Sequence, residues 1–407
     1  MIKKICNLAT AVCFLALLFG LAAAFWILPD SPFSEAENRT LALFPEFSFE
    51  TLTDGSFNAG MTEYFADQFP ARPLFVRIKA ESEIAAGRGE NNGVLVGKND
   101  QLAVRKFRVY ESLLHQTPDM DYYYRSNVDA AIDALNAFAA DASLPVVTIL
   151  PPRSVDAAAS AFTYPGEITD VLHEQLSAGL SPATGYIDLL PLFREHYDAG
   201  EYVYFRTDHH WTPEGAYLAY REIMKGFGME DKILPESAFT VEEIPGFYGT
   251  TWSKSRLKFV EPDTIRYLSP GNEDEFVTDC LSVKMVKDEA GRPKKVKEIY
   301  KSFPGWLNRD YFTVKDKYGA FLDGTHNEQF ISIPAMNRDR EALLIMKDSF
   351  ANTLVPYLAQ HFDLVIGNLT GGVTNASELA EEYGCSRILI VYNWENLITS
   401  GSLAGIH

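Results

Sequence analysis

The sequence predicts an α/β fold with a mostly parallel β-sheet of about five strands. The middle of the chain alternates short apolar runs with longer segments of helical periodicity, and the same alternation returns near the C-terminus after an irregular stretch. Strands that alternate with helices are typical of a parallel sheet whose two faces are covered by helices. With 407 residues, 47% of them hydrophobic, the chain is long enough to bury such a core.

Two helices and a short strand are predicted before this alternation begins. Apolar residues recur at helical spacing over residues 58–68 and again over residues 75–86. Residues 93–97 are an apolar run between two glycines, which is typical of a short strand. We expect these elements to lead into the main sheet.

The first alternation of helix and strand lies in the middle of the chain. Val128, Ile132 and Leu135 share one helical face, and Pro151 stops the apolar run that follows them. The pattern then repeats once. The predicted elements are helices over 126–142 and 167–180 and strands over 146–150 and 185–189.

The alternation breaks between about residues 235 and 335, where Gly, Pro, aromatic and charged residues mix. We predict an insertion of irregular and β structure there, with the basic run 292–297 at a solvated hairpin tip. The alternation resumes at Ala342, and the ligand site of such a sheet is expected at the carboxyl ends of its strands. The last predicted elements are strands over 343–346, 364–366 and 388–392 and helices over 350–362 and 376–383.

The N-terminus carries an apolar segment of the length that crosses a bilayer. Lys3 and Lys4 precede residues 8–28, which contain no charged residue. About 20 apolar residues cross the roughly 30 Å hydrocarbon layer as a helix, and flanking lysines stay in the cytoplasm. We therefore predict a single-pass cell-membrane anchor over residues 1–29 and one extracytoplasmic domain over residues 30–407.

A cleaved signal peptide is the alternative interpretation of this segment. Ala22 and Ala24 form an A-x-A-like cleavage site. The apolar stretch continues from Phe25 to Leu28, past that site, and this favours an uncleaved anchor. Both interpretations place the rest of the chain across the membrane.

Charge and cysteine content exclude several classes of protein. The net charge of −19 works against binding to nucleic acid, whereas it sets no limit on neutral sugars. No two of the four cysteines have the spacing of metal ligands, and we predict no cofactor. Cys280 and Cys385 lie outside the apolar N-terminus, and the sequence leaves their pairing open.

The densest group of reactive side chains precedes a predicted helix. Thr212 suits the N-cap of that helix and Pro213 its first position. In extended chain, residues two apart point to the same side, so Asp208 and His210 are expected to meet while His209 faces away. A carboxylate in that position fixes the tautomer of an imidazole that acts as a general base.

Two other interpretations of this group stay open at this point. The histidines could satisfy only local hydrogen bonds. Alternatively Asp208, His209 and His210 could bind a metal ion, with Asp323 and His326 of the insertion as further ligands. The expected opposite facing of the two adjacent rings disfavours a single ion held by both, and we predict no metal site.

Ser349 is the best-placed nucleophile, because it falls where a buried strand ends and a helix begins. Its hydroxyl would lie above the carboxyl edge of the sheet, beside helix N–H groups that can stabilise an oxyanion. An ordinary serine N-cap is the structural alternative.

Further oxyanion or binding candidates are polar residues that follow predicted strands. Arg153 follows the strand that ends at residue 150, and each of these residues could instead be purely structural. The amide candidates are Asn352, Asn368 and Asn393, and His209 is a further binding or oxyanion candidate.

The run Asp208-His209-His210-Trp211 resembles the motif of the DHHW proteins, which are similar to the SGNH/GDSL hydrolase superfamily and to the alginate O-acetylation proteins AlgJ and AlgX. The resemblance covers most of the chain after the apolar N-terminus. Other segments that resemble recurring blocks of the family are Glu37–Arg39, Asp67–Arg72, Gly93–Gly97, Phe247–Thr250, Tyr318–Gly324 and Lys347–Asn352.

The resemblance implies an SGNH hydrolase-like three-layer α/β/α sandwich in which Ser349 is the nucleophile, His210 the general base and Asp208 its orienting carboxylate. It also implies acyl-ester chemistry through an acyl-serine. The chain departs from the usual hydrolases because the Asp–His pair precedes the serine, an order shared with AlgJ and AlgX. Lys347 also stands where those hydrolases have glycine, which affects the oxyanion site.

Three functions fit these observations. The first is an O-acetyltransferase that acts on a cell-envelope or secreted polysaccharide and receives acetyl groups from a membrane donor protein. The second is an esterase of the same fold, which would transfer the acyl group to water. The third is a catalytically inactive surface protein that binds a glycan or a protein partner, in which Ser349 would lie more than about 6 Å from His210.

Overall fold

The computed structural model describes residues 2–34, 39–104, 118–163, 168–287, 292–333 and 340–407. Glu37 and Asn38, in the first of the family-like blocks, lie outside the described residues. The α-helices are α1 Ile2–Ile27, α2 Phe49–Thr53, α3 Ser56–Asp67, α4 Arg72–Ala85, α5 Pro118–Asp141, α6 Ser154–Ala157, α7 Ile168–Gly179, α8 Leu190–Asp198, α9 Pro213–Gly226, α10 Thr250–Ser255, α11 Val355–Leu358, α12 Ala376–Glu382 and α13 Trp394–Thr399. The strands are β1 Phe33–Ser34, β2 Arg39–Thr40, β3 Glu90–Asn91, β4 Val94–Val96, β5 Leu102–Val104, β6 Val146–Ile149, β7 Tyr186–Ile187, β8 Thr240–Phe247, β9 Asp263–Ser269, β10 Val277–Lys287, β11 Pro293–Pro304, β12 Glu328–Ser332, β13 Ala342–Lys347, β14 Asp363–Asn368 and β15 Cys385–Val391.

The chain divides into two compact units. The first comprises Met1–Asn92 and Trp252–Phe259, and the second comprises Gly93–Thr251 and Val260–His407.

The first unit contains the apolar N-terminal helix. Residues Ile5–Ile27 of α1 are long and apolar enough to cross a membrane, and their position near the N-terminus also fits a signal sequence. Phe25 at the end of this helix packs on Tyr64 and Phe65 of α3, with ring centroids 5.5 and 5.0 Å apart. The helices predicted over residues 58–68 and 75–86 are confirmed as α3 and α4.

The second unit is built on the predicted parallel sheet. Five neighbouring strands run parallel in the order β14-β13-β15-β6-β7, which confirms the α/β fold and the expected core of about five strands. Side chains along β13 alternate between two cores: Leu343 and Ile345 face one, and Leu344 and Met346 face the other. Helix α9 covers the first face, and α5, α7 and α12 cover the second. The unit is therefore a three-layer sandwich.

The insertion contributes more to this sheet than the sequence predicted. Strand β12 pairs antiparallel with β14, β10 pairs with β12, and β11 pairs with β10, so the sheet has eight strands within the described residues. The expected total of about five strands is therefore too low. The local sequence of an edge strand does not show whether a further strand will pair with it, because that further strand comes from a distant segment of the chain. Strands β8 and β9 form a separate antiparallel pair.

Two predicted elements are clearly shorter or less regular in the structure. The strand over residues 185–189 is only Tyr186–Ile187, because helix α8 already begins at Leu190. The helix over residues 350–362 is a 3-10 helix, Ser349–Leu354, followed by the short α11. Pro356 has no N–H to donate to the carbonyl oxygen of Asn352, so one continuous α-helix cannot form there.

Cys280 and Cys385 are both buried and free. They lie on β10 and β15, which are separated in the sheet by β12, β14 and β13. Cys280 and Cys385, whose pairing could not be decided from the sequence, therefore form no disulfide with each other.

Candidate active site

A short loop brings the two histidines to the carboxyl edge of the sheet. An antiparallel bridge between Tyr204 and Trp211 closes the loop, and Phe205 N–H donates to the carbonyl oxygen of His210 at 3.2 Å. The next helix, α9, begins as the sequence predicted: the Thr212 hydroxyl accepts a hydrogen bond from Gly215 N–H at 3.1 Å. The loop is thus held on both sides.

Asp208, His210 and Ser349 form one hydrogen-bonded chain. His210 Nδ1 lies 2.5 Å from Asp208 Oδ1, and His210 Nε2 lies 2.7 Å from Ser349 Oγ. Asp208 is 2% exposed and His210 5%, whereas Ser349 is partly exposed. The serine hydroxyl is therefore the member of the chain that solvent and ligands reach. The separation of more than about 6 Å expected for an inactive binding protein is not found.

The orientation predicted for His209 is wrong. Its ring does not face away, because residues 206–210 bend instead of continuing as extended chain. The His209 and His210 rings lie 3.9 Å apart between centroids, and His209 Nδ1 is 2.9 Å from the Thr250 hydroxyl. The contact between Asp208 and His210 was predicted from an extended backbone. It does form, but through this bend, and His210 N–H also donates to Asp208 Oδ1 at 3.1 Å.

The same bend brings three potential metal ligands together. The ligand atoms of Asp208, His209 and His210 all lie within 4.8 Å of one another. Asp323 and His326, the further ligands considered from the sequence, are not part of this group in the described residues and instead pair with each other at 3.0 Å. A metal ion at the group would have to replace the Asp208–His210 hydrogen bond.

The Asp208 carboxylate is held by a second loop. Its Oδ2 atom accepts hydrogen bonds from Thr250 N–H at 2.7 Å and from the Thr250 hydroxyl at 2.9 Å. Gly249 lies against the same side chain, and a Cβ atom at this position would come within 2.3 Å of Asp208 Cβ. Both residues belong to the family-like block Phe247–Thr250, and the sequence alone gave them no role.

Tyr318 is a contact of the histidine that sequence reasoning missed. Its ring stacks on the His210 ring at a centroid distance of 3.9 Å and an interplanar angle of 11°. Its hydroxyl donates to the Ser349 carbonyl oxygen at 2.9 Å. One buried tyrosine therefore positions both the imidazole and the backbone of the serine.

Burial and neighbouring charges set the protonation of the pair. Burial, together with the nearby His209 ring, lowers the pKa of His210 to about 4, although Asp208 acts in the opposite direction. Burial alone would raise the pKa of Asp208, yet the two imidazoles and its hydrogen bonds hold it far below the ordinary value. At neutral pH the site therefore holds a carboxylate and a neutral imidazole, whose Nδ1–H donates to Asp208 and whose Nε2 can accept the Ser349 proton.

Asp348, and not Ser349, caps the 3-10 helix that follows β13. The Asp348 carboxylate accepts hydrogen bonds from Phe350 N–H at 3.0 Å, Asn393 N–H at 2.7 Å and Asn396 Nδ2 at 2.8 Å. The capping role considered for the serine is thus filled by its neighbour. The Ser349 hydroxyl is left to the histidine.

Among the amide candidates, Asn352 lies on the same 3-10 helix as Ser349. Its Oδ1 atom accepts a hydrogen bond from Lys347 Nζ at 2.6 Å, which orients the amide. Its Nδ2 atom makes only a long contact of 3.4 Å with the Phe321 carbonyl oxygen. The Lys347 ammonium is buried, and burial lowers its pKa to about 8.

The remaining candidates are committed to structural hydrogen bonds. The Asn393 amide donates to the Pro151 carbonyl oxygen at 2.9 Å, and its oxygen caps helix α13. The Asn368 amide donates to the His326 carbonyl oxygen at 3.2 Å. Arg153 makes two hydrogen bonds of 2.6 Å with Asp156. Their polar atoms stabilise loops at the carboxyl edge of the sheet.

A comparison with family models matches residues 177–367 to the DHHW protein family. This range contains both ends of the Asp208–His210–Ser349 chain. No curated protein sequence matches the chain.

Two solved structures with TM-scores above 0.5 share the fold. A DHHW family protein from Eubacterium siraeum aligns at 18% identity with a TM-score of 0.54, over 78% of this chain and 95% of that one. Bacillus cereus PatB1, in a structure with a sulfonyl adduct, aligns at 20% identity with a TM-score of 0.53, over 76% and 97%. The O-acetyltransferase domain of Pseudomonas putida AlgJ aligns at 13% identity with a TM-score of 0.42, over 76% and 93%.

The DHHW motif has a physical explanation in this structure. Asp208 orients His210, and His209 packs on the outer side of the same ring. Trp211 is fully buried, and its Nε1–H lies 3.0 Å from the Phe350 carbonyl oxygen and 2.8 Å from Thr353 Oγ1. The fourth residue of the motif therefore joins the histidine loop to the helix that carries the serine.

Proposed function

We propose that this chain is a serine-dependent acyltransferase, anchored in the cell membrane, that O-acetylates a cell-envelope or secreted polysaccharide outside the cytoplasm. The observation that carries the proposal is the 2.7 Å contact between His210 Nε2 and Ser349 Oγ, with Asp208 bound to the opposite nitrogen of the ring. In this proposal Ser349 is the nucleophile, His210 the general base and Asp208 its orienting carboxylate.

The proposed reaction has two halves. His210 takes the Ser349 proton as Oγ attacks the carbonyl carbon of an acetyl ester, and the oxyanion collapses with release of the donor alcohol, which receives the proton from His210. A sugar hydroxyl then gives its proton to His210 and attacks the acetyl-serine. The bond to Oγ breaks and His210 returns the proton to Ser349.

The Ser349 N–H group, at the start of the 3-10 helix, and the Asn352 amide are the proposed oxyanion donors. Both lie on the same turn, and the Lys347 ammonium donates to the amide oxygen of Asn352, so the NH₂ group of Asn352 is turned away from the ammonium. Preorganised donors of this kind stabilise the tetrahedral intermediate because they need no reorientation as charge develops.

Two further observations support acyl transfer. The order of the motifs, with the Asp–His pair before the serine, resembles that of the alginate O-acetylation proteins. PatB1, which shares the fold, has been captured with a sulfonyl adduct, and sulfonyl groups are electrophiles that react with activated hydroxyls. The apolar helix Ile5–Ile27 supports membrane anchoring, which would place the enzyme beside a membrane protein that supplies acetyl groups.

The test is turnover of a soluble acetyl ester in the presence of an oligosaccharide acceptor. We expect Ser349→Ala and His210→Ala to lose activity by at least about a thousandfold. Ser386→Ala is the matched control, because Ser386 lies near the opposite, amino end of strand β15. Full activity of Ser349→Ala would remove the proposal, and release of free acetate without acetylated sugar would instead identify an esterase.

A further inference from the structure

A groove of about 940 Å³ lies away from the histidine and serine just described. It opens between the β10–β11 hairpin and the segment that includes α12, and neither His210 nor Ser349 lines it. Its polar lining includes Lys297, Tyr300, His326, Asn327, Glu328 and Glu382. The mechanism proposed above uses none of these six residues.

A β-bulge turns Tyr300 into this groove. Leu281 pairs with Ile299 and Cys280 pairs with Lys301, so Tyr300 is the extra residue on β11. An extra residue redirects its side chain relative to regular strand alternation. The ring of Tyr300 is 54% exposed and lines the groove.

A mostly buried imidazole fixes the orientation of this exposed ring. The Tyr300 hydroxyl is hydrogen-bonded to His326 Nδ1, and His326 Nε2 lies 3.0 Å from Asp323 Oδ2. The side chains of His326 and Asp323 are only 10% and 5% exposed. An exposed aromatic ring with a fixed orientation is a preorganised platform for stacking, because binding does not have to restrict its rotation.

The charge of the groove disfavours polyanions. Lys297 is its one lysine or arginine among the described residues, and its ammonium is bound to Glu328 at 2.8 Å and Glu382 at 2.5 Å. Glu378 adds a third carboxylate to the lining. An anionic chain would meet this excess of carboxylates, whereas hydroxyl and amine groups would find acceptors.

The groove lies at the same edge of the sheet as Ser349. Asn327, in its wall, accepts a hydrogen bond through its carbonyl oxygen from Asn368 N–H at 2.8 Å. Asn368 ends β14 and pairs with Lys347, which lies two residues before Ser349. The groove and the nucleophile therefore lie at the ends of neighbouring strands on one edge of the sheet.

We propose that this groove binds an uncharged or amine-bearing stretch of the acceptor glycan, with a sugar ring stacked on Tyr300. The inference rests on the proposed function and adds the class of acceptor: a polysaccharide without carboxylate groups. Polar side chains along the groove, led by Asn327 and Glu328, would bind the sugar hydroxyls.

Equilibrium binding to the full chain carrying Ser349→Ala tests this inference, because that variant cannot form the acyl-serine. The probes are chitohexaose, its deacetylated form, cellohexaose and a hexagalacturonate. We expect at least one of the first three to bind and the hexagalacturonate not to bind. The assignment would be overturned if none of the first three probes binds, or if the hexagalacturonate binds as well as they do.

Substitutions in the groove test whether the Tyr300 ring takes part in binding or is an exposed ring without function. Tyr300→Ala should weaken binding by about two- to tenfold, since an aromatic contact contributes about 0.5–1.5 kcal/mol, and Tyr300→Phe should cause a smaller loss, because it keeps the ring but not its hydrogen bond to His326. Ile299→Ala is the control, because Ile299 is 57% exposed on the same strand and does not line the groove. Unchanged binding by Tyr300→Ala would contradict the proposal. These experiments measure binding and not turnover, so a failure of this inference can be distinguished from a failure of the proposed acyl transfer.

Discussion

The indole Nε1–H of Trp211 donates to the carbonyl oxygen of Phe350 at 3.0 Å, although the two residues are 139 positions apart. Trp211 directly follows His210 and Phe350 directly follows Ser349. This bond, with a second one to Thr353 Oγ1, therefore sets the distance between the imidazole and the hydroxyl. A base must lie within hydrogen-bond reach of the proton that it removes, so the geometry of the site depends on a residue that does not touch the reacting atoms.

Trp211→Phe should impair the site and the fold together. The change removes both hydrogen bonds of the indole and leaves buried acceptors without a donor, which costs about 1–3 kcal/mol in unfolding free energy. We expect denaturant unfolding to show this loss, and acetyl-ester turnover to fall at least about tenfold.

Trp394→Phe is the matched control for that experiment. Trp394 is also fully buried, but its Nε1 has no hydrogen-bond partner among the described residues. We expect its replacement to leave turnover close to wild type. Equal losses of turnover in the two variants would show that the Trp211 hydrogen bonds have no special part in the site.

The pH dependence of turnover should report a histidine with a low pKa. Because burial lowers the pKa of His210 to about 4, the base is neutral and active above that value and becomes protonated as the pH falls through it. The profile of kcat/KM should therefore stay flat down to about pH 5 and decline below. An acid limb centred near 6.5, the ordinary value for histidine, would contradict this assignment.

His209→Gln should move that acid limb to higher pH. The imidazole of His209 is one of the groups that lower the pKa of His210, so its removal makes protonation of His210 easier. The measurement is the same pH profile, compared with wild type. A limb that stays in place would show that His209 has no electrostatic effect on the base.

Gly249→Ala should be inactivating because of a collision with the orienting carboxylate. The added Cβ atom would lie 2.4 Å from Asp208 Oδ2 as well as close to its Cβ. We expect at least about a tenfold loss of turnover, since a small displacement of the Asp208–His210 pair is enough to reduce the rate. Gly401→Ala is the control, because a Cβ atom there meets nothing within 4 Å. Equal activity of the two variants would contradict the described packing.

The sequence was sufficient to predict the parallel core of the sheet and the three residues that meet at its edge, Asp208, His210 and Ser349. Apolar runs such as Val146–Ile149 and Ala342–Lys347 are local signals of buried strands, and the position of Ser349 after such a run follows from them. Local pattern also placed Asp208 beside His210, although through a backbone conformation that proved wrong for His209.

The supporting residues could not be predicted in the same way. Tyr318 and Thr250 reach the site from distant loops, and nothing in their own neighbourhoods indicates which side chain they will contact. Strand β12 likewise joins the sheet through pairing with β14, a partner that lies more than thirty positions away. The resemblance to DHHW proteins marked the blocks that contain Thr250 and Tyr318 without giving either a role.

Trapping the acyl-enzyme tests the central claim most directly. The chain is mixed with an activated acetyl ester, quenched in acid, digested, and analysed by mass spectrometry for peptides that have gained one acetyl group. We predict a single rapidly formed acetyl-serine at Ser349, which is absent in His210→Ala. Acetylation at other residues only, or labelling of Ser349 that does not depend on His210, would contradict the account.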